Sequence, residues 1–258
     1  MGWWRAGKRW LDEARSLSRL TALRDRPRLS VYSEDSFSWL QFQGPLQTVG
    51  QPVVYVTSDP EDQLRWLAPS GMSVFYLDHL LPHWLARLES ELLLLTVPDL
   101  GNLQLPRPPQ STRCVYLFHS LISAHVGYRP RAFQHYDIFF CTGPHHRREL
   151  EALFRWWERP QPRLLEVGYP KLDQIYRAYQ AYSAPAELPP TVLLAPSWQP
   201  QNLLELVGEA VVERLLQADY RVVVRPHPCF FQALYPQGRA VVARLESRFG
   251  GHPHFRWN

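Results

Sequence analysis

The sequence predicts an α/β protein of two Rossmann-like domains with mainly parallel sheets, the second of them incomplete. Three observations lead there. Short apolar runs of strand length recur from Pro27 onward, most of them followed by a polar or acidic residue. Stretches able to form helices separate them, the rhythm of a parallel sheet covered on both faces. A proline-rich connector, Ser183–Pro190 (SAPAELPP), then interrupts the rhythm before it restarts. The expected organisation is an N-terminal helix over residues 1–26, a first domain over 27–182 and a partial second domain over 191–258.

Residues 3–24 lack proline and set Trp3, Trp10, Ala14, Leu17 and Leu20 at roughly helical spacing. Tryptophan mixed with arginine suits a helix lying at a membrane interface; a helix packed on its own domain, or a mobile leader, is the alternative. Expected strands follow at Arg28–Tyr32, Val53–Val56, Ser73–Leu77, Glu91–Thr96, Val115–Phe118 and Ile138–Cys141. Their β-branched, aromatic and leucine content favours strands over helices of that length. Glu61–Leu67 and His79–Leu88 are the expected crossover helices, and Lys171–Tyr182 a helix leading into the connector. Beyond it come a strand at Thr191–Ala195, a helix at Asn202–Ala218, a strand at Tyr220–Val224, a helix at Gly238–Phe249 and a third strand from His254. That βαβαβ unit is half of a doubly wound domain.

Composition narrows the function classes. Hydrophobic content of 45% and charged content of 20% are those of a soluble globular protein. Cys114, Cys141 and Cys229 lack CxxC spacing and read as buried free thiols of a reducing compartment. No apolar stretch reaches spanning length and no secretory leader is expected. Residues 1–28 carry a net charge of +5 while the chain totals +4, so the remaining 230 residues sum to −1. A basic excess confined to one arm argues against nucleic-acid binding.

The chemistry-bearing residues gather at strand ends. His119 follows the Val115–Phe118 run, where the carboxyl edge of an open sheet meets its ligand. An imidazole there suits a general base acting on a hydroxyl, or a loop cap. His125, His135, His145 and His146 fit no zinc spacing, so no metal is expected. His145 and His146 instead open a helix after Gly143. Arg225-Pro226-His227-Pro228 presents a guanidinium and an imidazole on a proline-stiffened turn, and Ser197 adds a hydroxyl from the preceding strand end. Together these suit anion binding; a structural turn with Arg225 paired to a carboxylate is the alternative. Lys171 and Asp173 in the first turn of their helix read as structural. Neither a GxGxxG fingerprint nor a P-loop is present.

In order, FHSLISAHVGY (118–128), YDIFFCTGP (136–144), VGYPKLD (167–173), LLAPSW (193–198) and VVVRPHP (222–228) resemble the motifs of the CDP-glycerol glycerophosphotransferases, which build teichoic-acid-type poly(glycerol phosphate). VYSEDS (31–36), VTSDPED (56–62) and LTVPDL (95–100) also resemble a branch of that family. The resemblance implies a GT-B fold, with an acceptor-side first domain and a nucleotide-donor second domain. It implies transfer of glycerol phosphate from CDP-glycerol to a hydroxyl of a membrane-linked or surface-polymer acceptor, without cofactor or metal. His119 falls on the family's base, Arg225 and His227 with Ser197 on the donor phosphates, and Ser120, His125 and Tyr128 on the acceptor side. Residues 1–24 would meet an anionic membrane surface, giving a cytoplasmic enzyme peripheral to the inner membrane face. Ser120-Leu121 stands where better-known members carry a glycine-containing motif, and a later Asp-Tyr-Ser-Ser-like segment is expected beyond Asn258. Alternatives are a GT-B sugar-nucleotide glycosyltransferase or epimerase, and a truncated, non-catalytic membrane-associated domain.

Overall fold

The computed structural model describes residues 2–23, 27–35, 38–183, 189–197, 199–231 and 236–258, with the side chains of 2–8, 228, 229 and 236 excepted. Trp198, most of the 183–190 connector and Cys229's thiol therefore lie outside the described residues. The chain forms two compact units, Met1–Ala181 and Tyr182–Asn258.

In the first unit the strands are β1 (Leu29–Ser33), β2 (Val53–Thr57), β3 (Met72–Tyr76), β4 (Leu92–Leu95), β5 (Arg113–Leu117), β6 (Ile138–Cys141) and β7 (Arg163–Glu166). They make one parallel sheet in the order β3-β2-β1-β4-β5-β6-β7. Its strand order reverses between β1 and β4, which makes their carboxyl ends the switch-point crevice of a doubly wound sheet. Alternate side chains feed two cores. Tyr32, Val56, Phe75, Leu95, Tyr116 and Phe139 pack on one face. Val31, Tyr55, Leu94, Val115 and Leu117 pack on the other. Burial on both faces is why these strands read as near-continuous apolar runs.

Helices α1 (Gly2–Thr21), α3 (Leu81–Leu85) and α4 (Pro144–Trp156) cover the first face with Leu20, Trp84, Leu150 and Phe154. Helix α2 (Trp39–Gln47) covers the second with Phe42 and Leu46, and α5 (Pro170–Gln180) lies beside α2 with none of its residues buried.

Several expectations shift. The crossovers at 61–67 and 79–88 are a single 3-10 turn, Gln63–Arg65, and the five-residue α3. Pro60 and Pro69 bracket the first, and Pro82 is tolerated at the start of the second because its missing N–H is not needed there. Helix α2 was not expected, because Gly44 and Pro45 sit inside it. Strand β7 was missed because, at the sheet's edge, none of its side chains is fully buried and the alternation weakens.

The N-terminal helix turns a different face inward. The expected stripe ran through Trp3, Trp10, Ala14, Leu17 and Leu20. The Trp3 side chain lies outside the described residues, Trp10 and Ala14 are exposed, and the buried residues are Glu13, Ser16 and Leu20, with Leu17 half-buried. Glu13, fully buried, accepts the Leu80 N–H at 2.9 Å and contacts His79 Nδ1 at 3.1 Å. Ser16 accepts the Tyr76 N–H. A carboxylate that satisfies the N–H of Leu80, the residue before α3, explains why the polar residue faces in.

The second unit holds β8 (Thr191–Leu194), α6 (Leu203–Leu206), α7 (Gly208–Gln217), β9 (Arg221–Val224), α8 (Pro236–Phe249) and β10 (Phe255–Trp257). Its three strands are parallel in the order β10-β9-β8. The expected single helix 202–218 is broken at Val207, where φ −139° and ψ 9° leave the helical range. Val212, Val222, Val224, Leu245 and Phe255 form a separate core.

Candidate active site

The first unit's carboxyl edge brings several polar groups together. His119 lies two residues past β5 rather than at its end, because the strand closes at Leu117. Its ring is exposed, and its Nδ1 lies 3.0 Å from the Thr96 carbonyl oxygen just beyond β4. A carbonyl only accepts, so Nδ1 carries the proton in the neutral ring and Nε2 keeps its lone pair. Tyr169, at the start of α5, and Gln41, on α2, both donate to the His119 carbonyl, at 2.9 and 3.3 Å. The residue is thus held by its backbone as well as its ring. Neither Thr96 nor Gln41 was singled out from sequence, since a backbone carbonyl and a lone buried amide leave no motif.

The remaining strand ends complete the edge. Asp35 Oδ1, after β1, accepts from the Ser38 N–H and hydroxyl, and Thr96 donates to Ser38 Oγ at 3.3 Å. Glu34 is pushed up from the usual carboxylate range, first by desolvation and then by the adjacent Asp35.

Of the acceptor-side candidates, Tyr128 meets His119. Their rings sit edge to face at 6.3 Å, and Tyr128's hydroxyl accepts from Tyr116 at 3.3 Å. Ser120 is adjacent in sequence, and its buried Oγ has no hydrogen-bond partner among the described residues. His125 is not joined to this group. Its ring lies edge to face with Trp156, the last residue of α4, and its N–H donates to Glu149 and Ser123.

The loop after His119 is pinned by two groups of α4. Glu149 accepts from the Ser123 hydroxyl and from the Ala124 and His125 N–H groups. Burial opposes its charge, yet the Ser123, Ala124 and His125 donors hold it below the usual range. His146, almost fully buried, donates from Nε2 to the Ile122 carbonyl and accepts at Nδ1 from Thr142, both at 3.0 Å. Desolvation lowers its pKa, so it is a neutral clamp. Cys114 and Cys141 are buried and unbonded, and burial pushes their thiols up to about 12 and about 11.

Among the described residues, Glu13, Asp78 and His79 could share one ion, with ligand atoms within 4.8 Å of one another. Glu13 is already committed to Leu80 and His79.

In the second unit, Leu194 pairs with Val224, so Ser197 and Arg225–His227 leave the same carboxyl edge. Arg225 donates its N–H to the Leu194 carbonyl at 2.9 Å, while Phe230 donates to the His227 carbonyl at 2.8 Å. Ser197 and Arg225 are exposed, and desolvation lowers the His227 imidazole.

No family model matches the chain, and no curated protein matches it. Among solved structures it is similar to the wall teichoic acid polymerase TagF, in a His-to-Asn variant soaked with CDPG. The TM-score is 0.52 at 12% identity, over 96% of this chain and 69% of that one. A cinnamyl alcohol dehydrogenase from Sorghum bicolor, also 12% identical, covers 83% of this chain and 52% of its own, but its TM-score of 0.26 carries no argument. The TagF likeness shows a shared α/β, Rossmann-like fold and a distant structural relationship.

Proposed function

We propose that the chain is a GT-B-type transferase that moves glycerol phosphate from CDP-glycerol to a hydroxyl of a membrane-linked or surface-polymer acceptor. The observation that carries this reading is His119, with Nδ1 committed to Thr96 and Nε2 left to accept a proton at the carboxyl edge. The polymerase TagF, whose structure was obtained with CDPG, supports the choice of donor.

In this reading His119 Nε2 takes the acceptor's hydroxyl proton as that oxygen attacks the β-phosphate. The new P–O bond forms while the bond to CMP breaks, and CMP leaves with the electron pair. Arg225 and His227, with Ser197, would stabilise charge on the donor phosphates, so catalysis is chiefly positioning and electrostatics. Ser120, His125 and Tyr128 would serve the acceptor side, with the His125 ring turned to Trp156 and the Tyr128 ring to His119. No metal or cofactor enters the scheme.

No helix among the described residues is long and apolar enough to cross a membrane. Exposed Trp10 and Leu11, with exposed Arg9, Arg15 and Arg19 on α1, support a peripheral position on an anionic membrane surface at the cytoplasmic face.

The test is release of CMP from labelled CDP-glycerol with membrane acceptors, against a panel of other nucleotide donors. General-base catalysis is worth about a hundred- to ten-thousand-fold, so His119→Ala should lose that much in kcat. Undiminished CMP release from that variant, or preference for a sugar nucleotide, sinks the assignment.

A further inference from the structure

A groove of about 640 Å³ opens between α2 and α5, over Phe140 of β6. That volume is in the range of small-ligand sites. Its polar lining comes from Gln43 and Gln47 on α2, from Thr48 at the end of α2, whose hydroxyl donates to the Pro45 carbonyl, and from Asp173, Gln174 and Arg177 on α5. Asp173 and Arg177 stand one helical turn apart, the spacing at which such side chains ordinarily pair. Here they do not: among the described residues neither has an ion-pair or side-chain hydrogen-bond partner. An unpaired guanidinium suits a phosphate, which it can grip with two parallel N–H donors. An unpaired carboxylate beside three amides suits hydroxyl groups, which both donate and accept. One groove thus offers a guanidinium for a phosphate and polar groups for hydroxyls, with the Cβ atoms of Asp173 and Arg177 about 5–6 Å apart as neighbours on one helix face.

The groove and the candidate active site draw on neighbouring residues of the same two segments. Helices α2 and α5 line the groove, and the same two elements supply Gln41 and Tyr169 to the His119 carbonyl. Pro170, the residue after Tyr169, is part of the lining, and the groove then follows α5 to Arg177. From Tyr169 to Arg177 the helix rises about 12 Å.

We propose that this groove binds a polyol phosphate, namely internal repeats of the acceptor chain whose terminal hydroxyl lies at His119. The inference rests on the transfer reading above and adds to it a second acceptor subsite, with Arg177 on a backbone phosphate and Asp173, Gln43 and Gln47 on hydroxyls. A chain held there keeps its growing end near the base between additions.

The experiment uses the full chain with CDP-glycerol and two synthetic acceptors, one with a single glycerol phosphate and one with several repeats. Arg177→Leu should raise KM for the longer acceptor about tenfold, with kcat, KM for the short acceptor and KM for CDP-glycerol unchanged. Arg177 is exposed, so the variant should keep the wild-type melting temperature. Direct titration of the longer oligomer, without donor, separates the two claims. Binding that survives in His119→Ala and weakens about tenfold in Arg177→Leu supports the groove, whether or not CMP is released. Oligomer binding or KM indifferent to Arg177→Leu, equal losses for both acceptors, or no oligomer binding to the wild type overturns it. Absent CMP release with the binding pattern intact sinks only the transfer reading.

Discussion

At the scale of single residues, the candidate base depends on groups that do no chemistry themselves. The Ser120–Tyr128 loop carries all three acceptor-side candidates, and Glu149 gathers three of its donors onto one carboxylate. Replacing Glu149 by Gln keeps the shape and removes the charge, which should cost about 1–3 kcal/mol at neutral pH. The sign with pH follows from the lowered carboxyl value. A depressed folded pKa gives stability that is present above the unfolded value, about 4.3, and lost as pH falls through the folded one. Denaturant unfolding of wild type and Glu149→Gln should therefore differ at pH 7 and converge in acid below that window. A gap that persists there would mean the carboxylate is not the anchor. Sequence could flag His119 by its place after an apolar run. It could not flag Glu149, one acid among several on a helix, because its partners lie some 25 residues away.

At the scale of elements, α1 is where reading and structure part most clearly. Apolar spacing predicted one stripe, while docking turns Glu13 and Ser16 inward beside Leu17 and Leu20 and leaves Trp10 and Ala14 outside. Periodicity registers side-chain polarity but is blind to an orphan backbone N–H elsewhere that a carboxylate can satisfy. Glu13→Ala leaves the Leu80 N–H unpaired and removes the His79 contact, at a cost of about 1–3 kcal/mol. The Glu13 hydrogen bond raises the His79 imidazole above its ordinary value, with Asp78 adding to it. A raised folded pKa stabilises fully below the unfolded value, near 6.5, and the benefit fades as pH rises through the folded value. The variant should accordingly expose α1 to limited proteolysis, with its deficit greatest in mild acid. Cleavage rates identical to wild type across that range would show that α1 is held by its apolar contacts alone. Other helix starts were legible: α4 opens just after Gly143 as expected, and α5 opens at Pro170, one residue before the expected Lys171, because a proline fits the first helical position.

At the scale of the whole molecule, the two units present different amounts of core. The first buries both faces of a seven-stranded sheet, whereas the second has three strands, of which β9 alone is paired on both sides. The α/β rhythm and most strand positions were legible, since a strand buried on both faces cannot hide its apolar run. Strand order was not, because order is set by crossovers whose sequences are short and proline-broken here.

That asymmetry has a measurable consequence. In the second unit Leu193 on β8 is 53% exposed while Leu194 packs into the core, so one sheet face contributes little burial. Stability scales with apolar area removed from water, and small cores are marginal. The central strand β9 should then open at a lower free energy than β1 or β4, which lie mid-sheet in the larger unit. Hydrogen exchange read by mass spectrometry in increasing urea should show β9 peptides losing protection first, with a distinct lower midpoint. Coincident loss across β9, β1 and β4 would mean the chain unfolds as one cooperative body. In that event, substitutions in the second unit, Arg225 and His227 included, would have to be checked for loss of His119's surroundings before any rate change was assigned to phosphate contacts.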